Sequence, residues 1–147
     1  MLLHNDCEDL MGLKVLLVED DPTDIQCVER AFRQGRIANE LLVAKHGRAA
    51  QHMLLDTNNR TELVLLDLRM PLMNGLEFLQ WLRAQPVPLR RLPVVVLTTS
   101  DEERDVVTSW DLGVCGYIVK PLTFDRFCEV LTAINGYWVL NVLPPRE

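Results

Sequence analysis

Leu63-Val64-Leu65-Leu66-Asp67-Leu68-Arg69-Met70-Pro71-Leu72-Met73-Asn74-Gly75 is the stretch that decides the fold. Four consecutive apolar residues ending in an acid read as a strand buried on both faces, as in the interior of a parallel sheet, with its last residue at the rim. Asp67 therefore stands where a ligand can reach it. Two other segments repeat the design: Lys14-Val15-Leu16-Leu17-Val18 runs into the acidic triplet Glu19-Asp20-Asp21, and Gly116-Tyr117-Ile118-Val119 runs into Lys120-Pro121. Carboxylates and one lysine at neighbouring strand ends make a site.

Outward from these segments, short apolar runs (14–19, 41–44, 63–67, 93–98 and 116–119) alternate with segments of helical period. Asp21 can cap a helix that has Pro22 at its first position, with Ile25, Val28 and Phe32 on one face until Gly35. Residues 47–56 (Ala49, Ala50, Met53, Leu54) and 76–84 (Leu76, Leu79, Leu82) repeat the pattern. Ser100 with Glu103 reads as a capping box ahead of Val106, Val107, Trp110 and Gly113. A last helix carries Phe124, Phe127, Leu131 and Ile134. Five strands each followed by a helix predict an α/β fold: a doubly wound five-stranded parallel sheet with helices on both faces, since parallel neighbours need right-handed crossovers. Ligands of such sheets bind beyond the carboxyl ends of the strands, where strand order switches. Glu19, Asp20, Asp67, Thr98 and Lys120 all belong to that edge.

Composition narrows the function classes. The 147 residues, 48% hydrophobic and 24% charged, suit one globular domain. Residues 1–13 carry Asp6, Glu8 and Asp9 but no lysine or arginine, so the positive start of a secretory signal is missing, and no run approaches the length of a membrane span. Cys7, Cys27, Cys115 and Cys128 form no Cys-x-x-Cys pair, which favours reduced thiols in a cytoplasmic protein over a disulfide or zinc framework. A net charge of -6 opposes the counterion release that drives nucleic-acid binding. The expectation is a cytoplasmic protein with neither a membrane nor nucleic acid as a direct partner.

The acids dictate the chemistry. Asp20, Asp67 and Glu19 packed together without a cation would raise one another's pKa values and oppose folding. Hard oxygen ligands with no histidine among them favour Mg²⁺. A carboxylate beside Mg²⁺ can attack a phosphoryl group, and the charge of the resulting acyl phosphate can be met by Lys120 and the Thr98 hydroxyl. Taken singly, each residue has a plainer reading: Asp67 as a turn former, Glu19-Asp20-Asp21 as acids favouring a helix N-terminus, Lys120-Pro121 as a loop start. Their joint placement at four strand ends argues for a site.

Val15 to Asp21, Leu65-Leu66-Asp67-Leu68-Arg69-Met70-Pro71 with Asn74-Gly75, Pro93 to Thr98 and Gly116 to Pro121 together resemble the receiver domains of two-component response regulators, over residues 13 to about 135. The resemblance implies a flavodoxin-like sheet of order 2-1-3-4-5 and Asp67 as phosphoacceptor from a histidine kinase. It also implies Mg²⁺ held by Glu19, Asp20, Asp67 and the backbone carbonyl of Arg69, with Asp21 in a secondary role or as a helix cap. Thr98 and Tyr117 would form a switch beside Lys120, and Lys120-Pro121 would be a cis peptide. Arg69 and Ser100 match positions that tune phosphoryl lifetime. Such a protein is a signalling phosphoacceptor and not an enzyme, with at most intrinsic self-phosphorylation and autodephosphorylation.

Residues 1–12 read as an N-terminal extension, 13–135 as the receiver and 136–147 as an apolar C-terminal extension too short for an output domain. Tyr137, Trp138, Leu140, Val142 and Leu143 predict a partner surface there, first of all a homodimer interface. The tail, the Leu97-Thr98-Thr99-Ser100 segment and the proline-rich loop 86–93 resemble the small response regulators of phytochromes, which implies a phytochrome histidine kinase as partner. The competing reading is a phosphorylation-independent, receiver-like interaction module; a self-phosphorylating phosphatase would want an acid where Arg69 stands.

Overall fold

The computed structural model describes residues 13–34 and 40–138. In chain order the elements are β1 (Lys14–Val18), α1 (Pro22–Gln34), β2 (Glu40–Ala44), α2 (Gly47–Leu55), β3 (Leu63–Leu66), α3 (Gly75–Arg83), a 3-10 turn (Leu89–Arg91), β4 (Val94–Thr98), α4 (Glu103–Asp111), β5 (Gly116–Val119) and α5 (Phe124–Trp138). The strands pair in parallel in the order β2-β1-β3-β4-β5, as expected.

Strands β1, β3 and β4 are apolar at almost every position because both of their faces are covered. Alternate residues point to opposite sides. Leu16, Val18, Val64, Leu66, Val94 and Val96 pack with Ala50 and Leu54 of α2 and with Phe78, Leu79 and Leu82 of α3. Val15, Leu17, Leu63, Leu65, Val95 and Leu97 pack with Ile25, Val28 and Ala31 of α1 and with Phe127 and Leu131 of α5. Each such side chain contributes about 1.5–3 kcal/mol on burial, so these two layers hold the sheet edge as a rigid platform.

Local signals explain the helix starts. Asp21 Oδ1 accepts from the N–H groups of Thr23 and Asp24 ahead of α1. Asn74 and Glu77 form a reciprocal capping box at α3, readable as Asn-x-x-Glu although the sequence analysis had passed over it. The expected Ser100–Glu103 box does not form. Glu102 is the N-cap of α4 and gives no side-chain cap, because the Ser100 hydroxyl is engaged by Asp105 and Arg69 instead.

The cis peptide implied at Lys120-Pro121 is also not found; among the described residues the cis bond is Val87–Pro88. An X-Pro bond favours trans by about 0.5–1 kcal/mol unless contacts select the other form. Here the chain continues from β5 with the Lys120 N–H still bonded to the Thr98 carbonyl. At the other end of the domain, α5 runs unbroken past residue 135, where the receiver was expected to end, and Tyr137 on it is 63% exposed. Leu140, Val142, Leu143 and residues 1–12 lie outside the described residues. No described helix is long and apolar enough to cross a membrane.

Candidate functional site at the carboxyl edge of the sheet

Three side chains of the site are set by the backbone ladder itself. The N–H of Glu19 donates to Ala44 O at 3.0 Å, that of Asp67 to Val18 O at 3.0 Å and that of Lys120 to Thr98 O at 2.7 Å. Each is the first residue beyond its strand and remains bonded to a neighbour, so its position is inherited from the sheet.

The loops orient the carboxylates. Glu19 Oε2 accepts from the N–H groups of Asp20 and Asp21 at 3.1 and 3.2 Å, and Asp67 Oδ1 accepts from the N–H of Arg69 at 3.2 Å. Glu19 and Asp67 are buried and Asp20 half-buried. One carboxylate oxygen from each of Glu19, Asp20 and Asp67 lies within 4.8 Å of the others. Lys120 Nζ sits 2.6 Å from Glu19 Oε1, 2.6 Å from Asp24 Oδ2 and 3.6 Å from Asp67 Oδ2.

Asp24 is the member that sequence reasoning missed. It lies in the first turn of α1, where an acid is favoured by the helix dipole alone, and only the fold shows that it reaches Lys120. With it, four acids face one lysine. An excess of buried negative charge on hard oxygen donors is the arrangement a divalent cation such as Mg²⁺ fits.

Burial raises the Glu19 carboxyl from its ordinary 4.5 to about 8, with the Lys120 hydrogen bond opposing and Asp67 reinforcing the shift. For Lys120, burial favours the neutral amine, but the bonds to Asp24 and Glu19 outweigh it and the net shift is upward. A folded-state value above the unfolded one means that Glu19 stabilises the fold fully below pH 4.5, and this contribution is lost as pH rises to about 8. Metal-free protein is therefore expected to melt at a lower temperature as pH rises through that window, and Mg²⁺, which takes the ionised carboxylate, to restore stability most at the upper end. Thermal melts with and without chelator across the window check this; a flat metal-free profile would contradict it.

Thr98 is fully buried at the end of β4, and its Oγ1 accepts from the Ser100 N–H at 3.3 Å. The Tyr117 hydroxyl donates to the Ser100 carbonyl at 2.7 Å, and its ring packs against the β1–β3–β4 layer beside α3. Arg69 turns its guanidinium away from the carboxylates toward Ser100 and Glu102. Glu19, Asp20, Asp67 and Lys120 thus form one cluster, while Thr98, Tyr117 and Arg69 meet at Ser100 next to it. Gly75, the first residue of α3, packs under the site: a Cβ there would lie 2.4 Å from the Asp67 carbonyl oxygen.

The comparisons agree with this geometry. The family profile described as the response regulator receiver domain matches residues 15–132. The response regulator Rcp1 of Synechocystis sp. is 35% identical over 136 residues, spanning 89% of this chain and 92% of its own. Among solved structures, the phosphorylated cyanobacterial phytochrome response regulator RcpA superimposes with a TM-score of 0.85 at 32% identity, covering 91% of this chain and 99% of that one. The Mn(2+)-bound form of Rcp1 gives 0.82 at 34%, covering 90% and 99%.

Proposed function

The chain belongs to the response regulator receiver domain family, and on that footing we propose that it is a single-domain response regulator whose Asp67 accepts a phosphoryl group from a phytochrome histidine kinase. The observation that carries this reading is the juxtaposition at Asp67: two more carboxylates within 4.8 Å and an ammonium 3.6 Å away. Mg²⁺, held by Glu19, Asp20, Asp67 and the Arg69 carbonyl, supplies positive charge for the phosphoryl oxygens when bound. One Asp67 carboxylate oxygen forms the new bond to phosphorus as the bond to the donor imidazole nitrogen breaks, and the imidazole keeps the electron pair. The rigid strand end holds that oxygen in place, which is most of what such a transfer asks of a protein.

Lys120 then exchanges partners. Its bonds to Glu19 and Asp24 hold it beside Asp67, and a phosphoryl group there offers stronger charge than the carboxylate it replaces. Thr98 moves its hydroxyl toward the phosphoryl oxygens and Tyr117 turns inward behind it. This is a shift between two packings, and moving it from 1:99 to 99:1 takes about 5.5 kcal/mol of differential contact. Lys120→Ala is expected to be phosphorylated roughly a hundredfold more slowly and, once phosphorylated, to leave the Tyr117 ring where it was. Ring resonances of phosphorylated variant and parent would show this; an unimpaired ring shift would remove Lys120 from the switch.

The partner reading rests on RcpA and on the apolar tail. The same site would support self-phosphorylation by small phosphodonors and slow autodephosphorylation, with no other catalysis. A homodimer through the end of α5, by way of Tyr137, Trp138, Leu140, Val142 and Leu143, accounts for the exposed Tyr137 and the apolar residues beside it. The test is phosphotransfer from an autophosphorylated phytochrome kinase set against an unrelated histidine kinase. Faster labelling by the phytochrome supports the reading, and equal or slower labelling rejects it.

A further inference from the structure

Ser100 is buried, and every polar group it carries is engaged. Its N–H donates to Thr98 Oγ1 at 3.3 Å and its carbonyl accepts from the Tyr117 hydroxyl at 2.7 Å. Its own hydroxyl donates to Asp105 Oδ2 at 2.5 Å and accepts from Arg69 at 3.2 Å and from the Glu102 N–H at 3.4 Å. Arg69 is bonded in turn to Glu102 at 2.9 Å and lies 3.8 Å from Asp105. The two side chains that must move in the switch are therefore tied to one residue, and that residue is clamped to the start of α4.

We infer that Ser100, clamped by Asp105, is a positioning residue that holds Thr98 and Tyr117 in their unphosphorylated arrangement and sets how readily this receiver switches. The inference rests on the reading of Asp67 as phosphoacceptor. Thr98 cannot carry its hydroxyl to a phosphoryl group without stretching the Ser100 N–H bond, already at the long end of the range. Tyr117 cannot turn inward without giving up the Ser100 carbonyl. Both losses are smaller if the Ser100 segment can follow, and the clamp is what prevents that.

Exposure shows which clamp bond matters. Arg69 and Glu102 side chains are 54% and 47% exposed, so their pair is screened by water and weak. Asp105 is 14% exposed, and its short bond from the Ser100 hydroxyl is charge-assisted and sheltered. Removing that bond frees the segment without touching Asp67, Lys120 or the acids that hold the cation.

The test titrates beryllofluoride, in saturating Mg²⁺, into the parent, Ser100→Ala, Asp105→Asn and Asp101→Asn, following the Thr98 amide and the Tyr117 ring by NMR. Ser100→Ala breaks the clamp with no change of charge. Asp101→Asn removes an exposed acid of the same loop and leaves the clamp intact. Because apparent affinity scales with the fraction of protein already competent, Ser100→Ala and Asp105→Asn are expected to bind roughly three- to tenfold more tightly. Their ligand-free Thr98 and Tyr117 resonances should lie part-way toward the bound positions, a shift that a purely structural role would not produce. Asp101→Asn should match the parent. Unchanged or weaker binding by Ser100→Ala with unmoved resonances overturns the clamp, as does equal tightening by Asp101→Asn. A parent that binds no beryllofluoride removes the phosphoacceptor reading itself, and the inference with it.

Discussion

Asp67→Asn is expected to take up no phosphoryl group under conditions that label the parent, while its stability stays within about 1 kcal/mol of the parent's. The carboxamide has the shape of the carboxylate and keeps an oxygen for the Arg69 N–H, the contact that orients the side chain at 3.2 Å. Its N–H to Val18 O is backbone and does not change. What is lost is the nucleophile, since an amide oxygen gives no stable acyl phosphate. One of four acids around a single lysine is lost too, so Mg²⁺ affinity should fall by at least about tenfold while the metal-free fold loses some of its repulsion. Intact mass after treatment with a phosphodonor, calorimetric Mg²⁺ titration and chemical denaturation check the three parts separately. A phosphorylated Asp67→Asn would move the acceptor to another residue.

Gly75→Ala is expected to cost about 3 kcal/mol of stability although alanine is the better helix former by roughly 1 kcal/mol. The new Cβ would stand 2.4 Å from the Asp67 carbonyl oxygen and 2.6 Å from Leu68 Cα, both backbone atoms in the chain that carries the acceptor. The Gly75 N–H is also bonded to Leu68 O at 3.0 Å, so α3 cannot back away without breaking that bond. Relief comes only by displacing the end of β3. Since a misplacement of about 1 Å can cost a hundredfold in rate, phosphorylation should slow by a similar factor in whatever fraction still folds. Gly47→Ala is the contrast: its Cβ meets the Met73 side chain, with Sδ at 2.7 Å, and a methionine can swing aside. Urea denaturation of the two variants side by side checks the difference, and equal losses would mean that the Asp67–Gly75 contact is softer than its geometry implies.

The sheet was legible because burial on both faces leaves no room for polar residues, so β1, β3 and β4 appear in the sequence as apolar runs that end where the site begins. The acids and the lysine were legible for the same reason: each directly follows such a run. Contacts made by helices and loops were not. Asp24 is indistinguishable in sequence from an ordinary first-turn acid, and it becomes part of the site only when α1 is laid beside β5. Ser100 satisfies the pattern of a helix cap, yet its hydroxyl goes to Asp105 and Arg69, a tertiary choice that no local pattern encodes. The isomer of Lys120-Pro121 likewise depends on what surrounds it, and the resemblance to receivers implied the wrong one. Asn74-x-x-Glu77, by contrast, was a local signal that could have been read.

The central claim, that Asp67 is the phosphoacceptor, is tested most directly by locating the phosphoryl group. Protein treated with acetyl phosphate and Mg²⁺ is reduced with borohydride, which converts an aspartyl phosphate to homoserine, and its peptides are mapped by mass. The account predicts homoserine at position 67 alone, dependent on both phosphodonor and Mg²⁺. Homoserine at any other acid, or a phosphoryl group that Asp67→Asn still acquires, would contradict it.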